Sequence, residues 1–316
     1  MSDDQLSPED FAEAAASAIT EAMGKPETMA ATLAEAGLFS VMTPEDAGGL
    51  GLSRAFAVPV LREAGKAGLR FPVAEQMLLA TAFAGTPEGE ALLSGAKTGT
   101  LAWSGDLESG AAGHAGYINA ADLVLVASAS GAVLLRCDAL QITEDGSIDP
   151  EAPQGYFAPV ESAVVARLTS AAFAQLQADA EVLYAALAVG CAEGALARAA
   201  AHVSTRVQFG RSLSAKQAVR HHMARMKLST ELAAAQLARA LQPDEFGAPR
   251  VTGSALTLAL SSGSFVVEKA IQLHGGMGFT WELPLHYPLR ELRRLRSALR
   301  PETRQAARGR AFIDAL

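Results

Sequence analysis

The stretch IQLHGGMGFTWELPLHYPLRELRR, Ile271–Arg294, decides how the rest of this chain is read. An apolar-patterned segment runs into it. The pair Gly275–Gly276 breaks that segment, and Gly278 follows. Trp281, Glu282 and Pro284 come next, then a segment carrying Arg290, Arg293, Arg294 and Arg296. Glycine reaches backbone angles that other residues resist, and it lets a partner approach the backbone closely. One reading is a helix C-cap turning into the next helix. The other is a glycine shelf on which a planar or phosphate-bearing ligand rests. The company the stretch keeps chooses between them.

A second stretch, RVQFGRSLSAKQAVRHHMARM, covers 206–226 and joins two long helical segments. Arg206 ends the first, Phe209–Gly210 makes the break, and Ser214 starts the next. An Arg beside a glycine-opened turn can fork onto phosphate oxygens. The adjacent Phe offers a flat apolar surface for a ring. The plainer alternative is a helix junction in which Arg206 caps the carbonyl end of its own helix. His221 and His222 lie together on the following helix without Asp, Glu or Cys at ligand spacing, so no metal site is expected there. Cys137 and Cys191 stand in unrelated contexts, and Cys191 reads as a small core residue. No disulfide framework or paired-cysteine metal site can be built from two such cysteines, so a reducing compartment is expected.

Outward from these stretches the chain is mostly helical. Ser7, Pro8, Glu9 and Asp10 open a helix over 7–23, with Ser7 as the expected N-cap. Further helices are expected over 27–36, 53–66, 73–84 and 87–95, with the glycine-punctuated loop LFSVMTPEDAGGLGLS between the first two of them. From Thr98 the texture changes. Short apolar runs such as TLAWSG, AGYINAADLVLVAS and GAVLLRC alternate with turn residues, which predicts five or six strands up to residue 168. Helical texture then returns over 172–205, 214–241, 251–274 and 286–297, with a wide apolar face suited to a bundle and a large subunit interface. The expected organisation is a helical domain over 1–96, a small β-domain over 97–168 and a helical bundle over 169–316. No strand–GxGxxG–helix signal appears, and no G-x-S-x-G elbow, P-loop or HExxH.

Composition narrows the partners. The formal net charge is −8, which argues against general nucleic-acid binding. The N-terminus, MSDDQLSPEDF, is acidic and lacks a basic segment followed by an apolar one, so no signal peptide is expected. No apolar run reaches the roughly 18 residues of a membrane span. A cytoplasmic protein is expected.

Three stretches together resemble the acyl-CoA dehydrogenases. RVQFGRSLSAKQAVRHHMARM resembles their R-x-Q-F-G-R…Q-x-V-x-H-x-x-A-x-M segment. IQLHGGMGFTWELPL resembles Q-x-H-G-G-x-G-F-T-x-E-x-P-L, and LAEAGLFSVMTPEDAGGLGLS resembles A-E-x-G-L…P-E-x-x-G-G-x-G. The order and spacing are those of the family, and the resemblance spans nearly the whole chain. It implies an N-terminal helical domain, a middle β-domain and a C-terminal four-helix bundle, with FAD as cofactor. It further implies that Arg206 pairs with the FAD pyrophosphate, that Phe209 packs near the adenine beside Gly210, and that Gln272, Gly275 and Gly276 form the shelf. The implied reaction is α,β-dehydrogenation of an acyl-CoA thioester, with an electron-transfer flavoprotein as acceptor.

The chain also departs from the family. Counting on from Arg290–Glu291, Leu299 stands where the family's usual catalytic Glu lies in a Y-E-G-T-like run. Counting back from Arg206, Ala180 stands at the alternative position, with Glu181 one residue away. One residue turns a side chain by about 100° around a helix. Glu302 lies three residues past Leu299 and would need a rearranged loop. The T-E-P-x-A-G-S-D and W-I-T-N segments on the flavin-ring side have no clear match, with Trp103-SGDLESG as the nearest remnant. Adenosine-side motifs are kept while the base and the flavin-ring side are not. The pattern resembles the shorter subunit of bacterial heteromeric acyl-CoA dehydrogenases of steroid side-chain breakdown, in an α2β2 assembly with a longer homologous subunit. The alternatives are a self-sufficient homomer using Glu181 or Glu302, and a flavin-free interaction scaffold.

Overall fold

A computed structural model of the chain describes residues 7–146, 149 and 152–314. Residues 1–6 of the acidic N-terminal stretch lie outside the described residues. Two compact units result: Met1–Leu61 with Leu69–Leu183, and Arg62–Gly68 with Tyr184–Leu316.

The first unit begins with helices α1 (Asp10–Met23), α2 (Met29–Glu35), α3 (Arg54–Ala67), α4 (Val73–Ala82) and α5 (Pro87–Leu93). The expected Ser7 cap is inverted. The Ser7 backbone N–H donates to the Asp10 carboxylate at 2.8 Å, which is one half of a capping box. α4 is buried over Val73–Ala80, so it carries a core position on every face. Its fully buried Gln76 donates to the carbonyls of Leu92 and Lys97 and accepts from the Gly99 N–H. One side chain thereby staples α4 to α5 and to the first strand, with every amide group of that junction satisfied.

The strands are β1 (Gly99–Asp106), β2 (Ala111–Gly116), β3 (Leu123–Ser128), β4 (Gly131–Arg136), β5 (Ile142–Asp145), β6 (Gln154–Phe157) and β7 (Val164–Thr169). They form a seven-stranded sheet in the order β5-β6-β2-β1-β3-β4-β7. β1 and β3 are parallel, and the other pairs are antiparallel. Ala102, Ala115, Ile118, Val124, Val126, Val133, Leu135 and Phe157 make its apolar core. Seven strands exceed the five or six expected. β2, AAGHAG, carries little β propensity of its own. It is held by its partner: Gly113 pairs with Phe157, and a Cβ at Gly113 would lie 2.4 Å from the Phe157 ring. The glycine is the space that the ring fills.

The second unit contains the C-terminal part of α6 (Ser170–Thr205), the hairpin β8 (Val207–Gln208) and β9 (Arg211–Ser212), and helices α7 (Gln217–Leu241), α8 (Gly253–His274), α9 (His286–Leu299) and α10 (Pro301–Asp314). α8 packs along α7 and against α9 and α10. A Cβ at Gly263 would lie 3.0 Å from the Ala188 carbonyl of α6 and 3.1 Å from Leu292 of α9, so these helices converge at that glycine. α6 to α9 form the four-helix bundle. The end of α3 crosses α6 with backbones nearly touching. A Cβ at Gly65 would lie 2.2 Å from the Leu187 carbonyl, and one at Gly190 would lie 2.0 Å from the Arg62 carbonyl. Arg62 and Lys66 then pair with Glu193 across the crossing.

Two expectations change. α6 is long and apolar enough, by length and composition, to cross a membrane, although no such run was expected; 78% of its most apolar window is buried inside the protein. α10 was not expected at all, because PETRQAARGRAFID has no apolar face to announce it. Cys137 and Cys191 are both free and buried. Burial first, then Asp122 and Asp138, pushes the Cys137 thiol up to about 12. Burial likewise raises that of Cys191.

Candidate cofactor site

Arg206 follows directly on α6. Its N–H donates to the His202 carbonyl at 2.9 Å, and its own carbonyl accepts from Leu213 N–H at 2.9 Å. That second bond closes a short hairpin, with Val207 opposite Ser212 and Gln208 opposite Arg211. Phe209 and Gly210 are the two turn residues, at φ +55° and +75°. Two-residue hairpin turns of this hand need positive φ at both central positions. Gly210 adopts it freely, whereas Phe209 does so at a cost. The junction is therefore a hairpin rather than a simple break, and α7 starts at Gln217 rather than at Ser214. The Phe209 ring is 89% exposed, with the Lys216 ammonium 4.9 Å from its centroid. Arg206 is exposed, and among the described residues its guanidinium has no hydrogen-bond or ion-pair partner.

α8 ends at His274, and Gly275 leaves the helix at φ +64°. A Cβ at Gly275 or Gly276 would meet nothing within 4 Å. Gly278 differs: a Cβ there would lie 2.3 Å from the Ile271 carbonyl, so this glycine folds the turn back on its own helix. Cap and shelf are thus divided among the glycines: Gly275 turns the chain, Gly278 closes the turn, and Gly276 is bare. Gln272 is exposed, its amide oxygen accepting from Lys269 at 2.8 Å. Beyond the glycines, the Arg290 guanidinium stacks over the Trp281 ring at 4.4 Å.

A pair that sequence reasoning missed joins the two motifs. The His202 and His274 rings lie 4.2 Å apart. His202 precedes Arg206 by four residues, and His274 directly precedes Gly275. Burial, then the His274 ring and the Arg206 guanidinium, hold His202 below its ordinary value of 6.5. The sequence offered only the helical spacing of His202 and Arg206 as a hint. Arg206, Phe209, Gly210, Gln272, Gly275 and Gly276 all belong to the second unit.

The carboxylates behave otherwise. Glu181 belongs to the first unit and is 3% exposed. Glu302 lies on the surface in an ion pair with Arg296 at 2.7 Å. Leu299, at the position where a catalytic Glu was sought, is buried. In the second unit Glu193, Glu231, Glu268 and Glu291 are likewise committed to Arg or Lys partners.

The chain is mostly helical with a small mixed sheet, and its second unit presents an arginine hairpin and bare glycines at two helix ends. Two family profiles match: "Acyl-CoA dehydrogenase, N-terminal domain" over residues 7–89 and "Acyl-CoA dehydrogenase, C-terminal domain" over residues 173–298. The acyl-CoA dehydrogenase IpdE2 of Mycolicibacterium smegmatis is 30% identical over 254 residues, covering 78% of this chain and 75% of that one. The chain belongs to the acyl-CoA dehydrogenase family. Among solved structures, the Tcur3481-Tcur3483 steroid ACAD G363A variant superposes with a TM-score of 0.82 at 25% identity, covering 96% of this chain and 98% of that one. The ChsE4-ChsE5 complex of Mycobacterium tuberculosis gives 0.76 at 21%, covering 97% of each chain. A glutaryl-CoA dehydrogenase of Mycobacterium smegmatis in complex with FADH2 gives 0.73 at 16%, covering 94% of this chain and 90% of that one. The last two likenesses speak to the fold alone.

FAD is the cofactor of this family, and the residues fit it. An exposed, unpaired guanidinium suits a diphosphate. An exposed phenyl ring suits a purine face. Backbone with no Cβ to obstruct it suits close approach by a ligand.

Proposed function

We propose that this chain is the shorter subunit of a heteromeric, FAD-dependent acyl-CoA dehydrogenase, and that it completes the FAD site of a longer homologous subunit. One observation carries the reading. Arg206, Phe209, Gln272 and the bare Gly275–Gly276 backbone are exposed, while a buried Leu299 stands at the position counted for the family's glutamate and Glu302 is paired with Arg296. In this reading Arg206 grips the pyrophosphate, Phe209 covers the adenine, and Gln272, Gly275 and Gly276 line the same end. Bound FAD supplies the hydride acceptor for α,β-dehydrogenation of an acyl-CoA thioester. This chain's residues bind and orient it, and the base that removes the α-proton is assigned to the partner.

Likeness to the Tcur3481-Tcur3483 steroid ACAD supports a two-chain assembly and a bulky steroid side-chain acyl-CoA as substrate. We take the stoichiometry as α2β2, the electron acceptor as an electron-transfer flavoprotein, the compartment as the cytoplasm, and the domain boundaries as 1–96, 97–168 and 169–316. The test is Arg206→Ala in the co-purified assembly. Removing a charge-assisted phosphate contact of about 1.5–3 kcal/mol weakens FAD binding at least tenfold while the assembly stays intact. Unchanged flavin affinity would contradict the reading.

A further inference from the structure

The two halves of the site lie on different helices, and side chains outside the assigned set link them. His202 and Arg206 sit at i and i+4 on α6, hence on one side of the helix. His274 is the last residue of α8, immediately before the bare glycines. Its ring is 8% exposed, and its Nδ1 lies 2.7 Å from the Ala270 carbonyl. A carbonyl only accepts, so Nδ1 carries the hydrogen and the ring is locked in orientation by its own helix. Against this fixed ring the half-buried His202 ring stacks at 4.2 Å with a tilt of 30°. Burial, then the neighbouring His274 ring and the Arg206 guanidinium, favour an uncharged His202.

We propose that His202 and His274 are positioning residues: their stacked rings fix the end of α6, with Arg206 and the Phe209 turn, against the glycine end of α8, and so set how tightly this chain grips the adenosine diphosphate part of FAD. The proposal rests on the FAD-completing role stated above. An aromatic pair of this geometry is enough to change affinity about two- to tenfold.

The test uses the purified assembly. FAD affinity and release are followed by flavin fluorescence, and thermal unfolding is recorded for each variant. His202→Ala and His274→Ala each speed FAD release about three- to tenfold. The double variant does little more than either single one, because both remove the same contact. His202→Phe, which restores a ring, returns release to near the wild-type rate. Wild-type release in both alanine variants overturns the proposal. So does a loss that follows a fall in melting temperature and is not rescued by His202→Phe, since that marks a merely structural role. Arg206→Ala separates the two layers of the argument. If it weakens FAD while the histidine variants do not, positioning alone fails; if it too has no effect, the FAD-completing role fails and the proposal falls with it.

Discussion

At Phe209 a phenyl side chain holds a left-handed backbone position on a turn whose other member is Gly210, and its ring is 89% exposed. Left-handed backbone costs a non-glycine residue about 1–2 kcal/mol, and Asn tolerates it better than Phe. Phe209→Asn therefore stabilises the chain by about 1 kcal/mol in denaturant titration, yet weakens FAD retention in the assembly. A variant that is more stable and keeps full FAD affinity would remove the functional reason for the ring. Gly276 separates shelf from cap in the same way. A Cβ there meets nothing within 4 Å and its φ is ordinary, so Gly276→Ala leaves the melting temperature unchanged. If the bare backbone faces FAD, the same substitution lowers FAD affinity severalfold. His202 adds a pH dependence. Its folded value lies below 6.5, so its contribution to stability is fully present above pH 6.5 and is lost as pH falls through the folded value. The melting temperature of the wild type falls more steeply below pH 6.5 than that of His202→Phe; parallel curves would show that the ring does not titrate as argued.

At the scale of elements, the crossing of α3 with α6 makes a prediction of definite sign. Helix propensity alone says that Gly→Ala in a helix stabilises by about 1 kcal/mol. A Cβ at Gly190 would sit 2.0 Å from the Arg62 carbonyl, and one at Gly194 would sit 2.7 Å from the Lys66 carbonyl. Backbone cannot swing aside as a side chain does, so Gly190→Ala destabilises by about 3 kcal/mol and Gly194→Ala by less. Thermal or denaturant unfolding reads this directly, and a stabilised Gly190→Ala would refute the close crossing. The helices around this crossing were legible in the sequence because long apolar periodicity, prolines and glycines mark them. β2 was not legible, since AAGHAG becomes a strand only when Phe157 lies over Gly113. α10 lacks an apolar stripe, so nothing in its pattern separates it from a polar tail. The hairpin around Phe209 was read as a break because a two-residue turn leaves no periodicity. In the candidate site, residue types pointed to Arg206, Phe209 and the glycines, whereas the His202–His274 stack arises from two helix ends far apart in sequence.

For the whole molecule the question is whether this chain carries the catalytic carboxylate. Within the second unit, Glu302 is paired with Arg296, and the expected position holds the buried Leu299 in place of a carboxylate. Glu181 is buried within the first unit. The absence of a glutamate at Leu299 was legible by counting alone, because a missing carboxylate needs no fold to be seen. The proposed partner is not legible that way, since its residues are not in this sequence. The most direct test measures flavin content and acyl-CoA dehydrogenase activity of the chain purified alone and co-expressed with a full-length homologue. The account predicts a colourless, inactive chain alone, and a yellow, active assembly that loses activity when the partner's catalytic glutamate becomes glutamine but not when Glu181 or Glu302 does. A lone chain that is yellow and turns over acyl-CoA would contradict it.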